Sequence, residues 1–157
     1  MPRARASPLT STPGFTLTIP KRSPRLRIIG LLYGGIVLLW LSVEDNNALE
    51  VAIFGAGLAI LCLTFWITGR FGGRVLERRT ALFAAALAGA ISGLLGTLLT
   101  AALMLFKVGL HADDFPDFPF GMMVDMVARA PLWALAGIFA GIGLLLAWWA
   151  VDTRDKS

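Results

Sequence analysis

The sequence predicts an all-α integral membrane protein. The expected form is a four-transmembrane-helix bundle with both termini cytoplasmic and a short interfacial helix in the outer helix 3–4 loop. Three observations carry this expectation: an apolar composition, four charge-free runs, and a one-sided distribution of Lys and Arg. Of the 157 residues, 57% are hydrophobic and 15% charged, against about 45–50% and about 25% in an average soluble domain. So short a chain leaves much of its surface outside any core, so a water-soluble fold would expose the apolar excess. Disorder is excluded too, because disordered chains are poor in apolar residues.

Positions 28–43, 51–68, 81–106 and 132–151 hold no Asp, Glu, Lys or Arg, in runs of 16, 18, 26 and 20 residues. A charge at the bilayer centre costs at least about 2.5–3.5 kcal/mol, and a crossing helix needs about 20 apolar residues. The runs are continuous rather than alternating, so a β-barrel's two-residue period is absent. Helices remain, because in lipid the backbone must satisfy its own hydrogen bonds. The transmembrane segments are placed at 27–43, 50–68, 81–106 and 132–151, within a membrane domain of 27–151.

Residues 1–26 read as a flexible basic cytoplasmic tail. Pro2, Pro8, Pro13, Pro20 and Pro24 break any helix there. Within it Phe15–Ile19 alternates like a short strand that could pair with a partner's sheet edge. The first membrane segment is expected to stay uncleaved, since Leu41-Ser42-Val43 matches a signal-peptidase site poorly. Between the second and third segments, Gly72 and Gly73 permit a turn. Val75, Leu76 and the arginines around them are expected to lie on the inner headgroups. The stretch 152–157 is a second cytoplasmic tail.

Lys and Arg report orientation, because short positive loops stay inside. Twelve fall before or at the first residue of the first segment, between the second and third, or after the fourth; only Lys107 and Arg129 fall in the other two loops. The net charge of +4 is therefore read as topology and attraction to anionic lipid, with no nucleic-acid partner. Trp40, Trp66, Trp133, Trp148 and Trp149 all fall near predicted segment ends, where Trp anchors at the headgroups.

Lipid tails are as apolar as Leu, so close approach through small residues drives helices together. The third segment has a small residue at every fourth position: Ala81, Ala85, Gly89, Gly93, Thr97 and Ala101. Gly30 and Gly34, Gly55 and Ala59, and Gly137 and Gly141 have the same spacing on the other three. These positions are the expected packing faces, with one groove left for a partner helix.

The outer loop, 107–131, far exceeds the usual connection of about 4–6 residues. Residues 119–130 read as the interfacial helix, with Asp117 as its cap and Pro119 in its first turn. Asp125 and Arg129 form an i,i+4 pair, with Met122, Met123, Met126 and Val127 opposite. Phe115, Phe118, Phe120, Met122 and Met126 are the expected partner-docking residues, because adaptable methionines suit such contacts.

Chemistry is sparse. His111 with Asp113, Asp114 and Asp117 is the one candidate metal set, and a single His argues for a solvated acidic loop instead. Neither a catalytic constellation nor a cofactor is expected, and the single Cys62 reads as a small hydrophobe. Ser92, Thr97 and Thr100 are expected to bond back to their own helix. Glu50 is the one acid placed to couple transport. The functional expectation is a structural, assembly or accessory subunit of a larger membrane complex, partnered by the bilayer and by another membrane protein or a second copy. The alternative is a small oligomeric channel or transporter.

Overall fold

The computed structural model describes residues 16–43, 47–111 and 118–154. Its elements are β1 (Thr16–Thr18), α1 (Pro24–Leu41), α2 (Ala48–Phe71), β2 (Val75–Glu77), α3 (Arg78–His111), α4 (Phe120–Ala128) and α5 (Ala130–Arg154). Helices α1, α2, α3 and α5 are each long and apolar enough to cross a membrane, the arrangement of a multi-pass helical membrane protein.

The helices outrun the charge-free segments at most of their ends. A charge ends an apolar run but not a helix, because Arg, Lys and Glu are good helix formers. Thus α3 begins at Arg78 and runs through Lys107 to His111, 34 residues or about 50 Å at 1.5 Å each. Local caps set other ends. Ser23 Oγ accepts from Leu26 N at 3.3 Å, with Pro24 in the first turn of α1. Asn47 Oδ1 accepts from Leu49 N at 3.1 Å to open α2.

The long α3 is the centre of the molecule. Helix α5 packs along one side of it and α2 along another, with no extended contact between the two flanking helices among the described residues. Helix α1 leans on α2 through Tyr33, Val37, Trp40 and Leu41. The Tyr33 hydroxyl reaches the carbonyl oxygens of Ile53 and Phe54 at 3.2 and 3.1 Å. One core cluster gathers Trp40, Val51, Met104, Phe118 and Met123; the other, at the opposite end, gathers Ala81, Leu145 and Trp149.

The α3–α5 seam follows one rule. Each four-residue step up α3 meets a four-residue step down α5. A Cβ on Gly141 would strike the Ala85 carbonyl, one on Gly89 the Gly137 carbonyl, and one on Gly93 the Trp133 carbonyl. On the other side of α3, a Cβ on Gly55 of α2 would strike Thr100. The threonines bond within their own helix: Thr97 Oγ1 to Leu94 O at 2.8 Å and Thr100 Oγ1 to Gly96 O at 2.7 Å.

The sequence reading differs at the basic end. Strand β1 lies inside the stretch taken as a flexible tail, and it pairs antiparallel with β2 of the same chain, Leu17 opposite Leu76. A partner's sheet edge is not needed. The 75–77 segment forms the other strand of the pair. Ile19 N to Arg74 O (2.9 Å) and Gly73 N to Ile19 O (2.8 Å) extend the pairing. Gly73, at φ +88°, makes the turn out of α2, a conformation that costs glycine little. A two-stranded ribbon is marginal alone; here Leu17 and Leu76 pack on the cluster of Ala81, Leu145 and Trp149.

Candidate functional site

At the end opposite the ribbon, α1, α2, α3 and α4 converge on a cationic side chain inside an apolar cluster. Lys107 is fully buried. Its Nζ stands 4.2 Å from the centroid of the Trp40 ring. Trp40 in turn donates from Nε1 to Glu50 Oε2 at 3.2 Å and stacks at a tilt on Phe54, 5.0 Å between centroids. Asn47 Nδ2 reaches the other Glu50 oxygen at 3.4 Å. The indole therefore links a cation on α3 to a carboxylate at the start of α2. Lys is almost never fully buried unless paired, and a desolvated cation over Trp is worth about 2 kcal/mol or more. Charge-free runs alone place Lys107 in a loop, and Val108 and Gly109 just after it, weak helix formers, give no local signal that α3 continues.

Helix α4 closes this cluster. Met123 is buried and Met126 packs against the core, while Phe118, just before the helix, is 1% exposed. The adjoining side carries Phe120, Val124 and Val127, at 76%, 50% and 40% exposure, and Met122, on the far flank of Met126, is exposed as well. The residues proposed for docking thus divide. Phe118 is occupied in the chain's own core and Met126 is half-buried; Phe120 and Met122 stay open; Phe115 lies outside the described residues. The methionine side, read as lipid- or protein-facing, meets the chain's own core through Met123 and Met126, because α4 lies against α3. The cap differs too. Pro119 itself holds the N-cap position without a side-chain hydrogen bond, and Asp117 lies outside the described residues. Arg129 caps the other end through its backbone N–H, which donates to Asp125 O at 3.2 Å.

The expected packing residues are mostly at contacts. Gly55, Gly89, Gly93, Gly137 and Gly141 meet backbone or Thr100, Gly30 meets Phe65, and Ala59 and Thr97 are buried. Gly34 is the exception, with open space around it. The face of α3 at Ala85, Gly89 and Gly93 is thus filled by α5 of the same chain. Gly57, which the spacing missed, faces the Tyr33 hydroxyl. Among the tryptophans, Trp66, Trp133 and Trp148 are on the surface. Trp40 and Trp149 are buried among the chain's own side chains rather than turned to headgroups.

The side chain of His111 and all of Asp113, Asp114 and Asp117 lie outside the described residues. Among the described residues no group of three metal-ligating side chains comes together. Comparison with family models, with curated proteins and with solved structures gave no match.

Proposed function

We propose that this chain is a non-catalytic subunit, structural, assembly or accessory, of a larger complex in the cell membrane. Both termini lie on the cytoplasmic side, as the twelve-to-two split of Lys and Arg supports. Helix α4 lies at the outer interface and carries the partner contact. The observation behind this reading is that the apolar arc of α4 is wider than its contact with the bundle. One side of the arc is spent on the core through Met123 and Met126, and the adjoining side leaves Phe120, Val124 and Val127 uncovered. A helix that only roofed the bundle needs the first side alone. The small-xxx-small spacing serves the chain's own bundle, in this reading, and leaves α4 as the surface for others.

Glu50, the acid placed to couple transport, is held by Trp40 and Asn47 at its helix end. That supports an architectural role for it over a carrier's proton site. Purification in mild detergent tests the proposal. Wild-type protein is expected to elute with a stoichiometric partner, and Phe120→Glu with Val124→Glu to elute without it while keeping the same helix content. A lone wild-type monomer under every gentle condition contradicts the proposal.

A further inference from the structure

Over α3, between α2 and α5, runs an apolar cleft that neither flanking helix closes. One part, of about 470 Å³, is walled by Ala56, Ile60 and Thr64 of α2 and by Ala136 and Ala140 of α5, with Ser92 on its floor. The next part, of about 330 Å³, runs under the ribbon between Ile19, Leu76, Trp66, Phe71, Leu87 and Ile91, with Arg74 at its edge. The two share Leu63, Ile67 and Ala88, so they adjoin along α3. Each volume is within the about 300–1,000 Å³ of a ligand pocket.

The charge is confined to one end. The Arg74 and Arg70 guanidiniums lie 5.2 and 5.9 Å from the centroid of the Phe71 ring, and Phe71 meets Trp66 edge-on at 5.5 Å. Among the described residues this end of the bundle carries Lys21, Arg22, Arg25, Arg27, Arg70, Arg74, Arg78 and Arg79, against Glu77 and Asp152. Arg74 lines this part of the cleft and Arg70 stands beside it on Phe71, both of them exposed. The occupant that matches this pattern is an amphiphile: negative at the arginines, with a hydrocarbon tail along the cleft.

We infer that the cleft binds one anionic phospholipid, its phosphate held by Arg74 and Arg70 and one acyl chain lying between α2 and α5 beneath the ribbon. Basic pockets between transmembrane helices recognise such headgroups, and each Lys or Arg near the surface adds about 1 kcal/mol, roughly a fivefold change in affinity.

The test is native mass spectrometry of the full chain in a neutral detergent, titrated with dioleoyl phosphatidylglycerol or dioleoyl phosphatidylcholine. Expected are saturable binding of one phosphatidylglycerol per chain and about fivefold or weaker binding of phosphatidylcholine. Arg74→Gln should weaken phosphatidylglycerol about fivefold and phosphatidylcholine less, because the choline cation offsets the phosphate it carries; Arg70→Gln should act alike. Both sites are exposed, so these variants keep the fold. Ala88→Trp, at the junction of the two parts, should weaken both lipids. Phosphatidylglycerol with dibrominated chains should quench the emission that Trp66→Phe removes. Free glycerol phosphate and inorganic phosphate should not compete. Equal affinity for the two lipids, indifference to both arginine changes, competition by the free phosphates, or a copurified polypeptide shielding Trp66 in place of lipid would each overturn the inference.

Discussion

Gly89 of α3 and Gly137 of α5 face each other backbone to backbone, each standing where a side chain on the other would collide with its carbonyl. That mutual contact sets the distance between the two helices along their whole seam, because Gly93 with Trp133 and Ala85 with Gly141 repeat it one turn away on either side. Small residues let helix backbones approach where hydrocarbon supplies no hydrophobic drive.

Enlarging either glycine should therefore force the seam apart. Gly89→Leu and Gly137→Leu are each expected to destabilise the fold by about 1–3 kcal/mol, the usual cost of overpacking, read by unfolding in mixed detergent micelles. Gly34→Ala, with open space around it, should be neutral. Equal effects at positions 34 and 89 would show that the seam is not close-packed.

Trp40 and Lys107 should be energetically coupled. A double-mutant cycle with Trp40→Leu and Lys107→Met is expected to give a coupling of about 1–2 kcal/mol. The double mutant should then lose less than the sum of the single changes. Strict additivity would mean that the ring does not hold the ammonium.

Besides the Trp40–Glu50 bond, the Tyr33 hydroxyl makes a polar link between α1 and α2, shared between two carbonyls. Interhelical hydrogen bonds inside membranes average about 0.6 kcal/mol, so Tyr33→Phe should cost roughly that and leave the helix content intact. A loss several times larger would assign the residue a packing role that the ring alone does not explain.

The ribbon depends on Leu17 and Leu76 packing against Ala81, Leu145 and Trp149. Leu17→Asp places a charge among these groups and should release β1. The expected result is faster protease cleavage between β1 and α1, with the four long helices unchanged. Unaltered cleavage would mean that the strand pairing stands without that packing.

How far the sequence carries depends on the range of the interaction. The four long helices were legible because the bilayer penalises charge at every position of a crossing segment, and Ile28 or Leu132 reports that locally. The small-residue positions were legible too, since Gly89 and Gly137 sit in a spacing of four. Their partners were not, because the meeting of α3 with α5 is a long-range fact. The ribbon was half legible: Phe15–Ile19 alternates, but nothing local says that its partner is Val75–Glu77 across two intervening helices. Lys107 was misplaced because a charge was taken as the end of a segment, whereas burial beside Trp40 is decided by tertiary contact. Phe118 was read as a docking residue along with the other aromatic and methionine side chains of the outer loop, and only the fold turns it inward.

Cys62 provides the most direct measurement. It is the chain's one cysteine, mid-way along α2 and on the outer surface of the protein, so only lipid can shield it from water. In sealed, intact membrane vesicles a charged, impermeant maleimide should leave Cys62 unlabelled from either side, and should label it once sodium dodecyl sulfate dissolves the membrane. The same reagent should label Thr80→Cys in a Cys62→Ser background from one side. Rapid labelling of Cys62 in intact vesicles would contradict a membrane-spanning α2, and with it the four-helix membrane bundle.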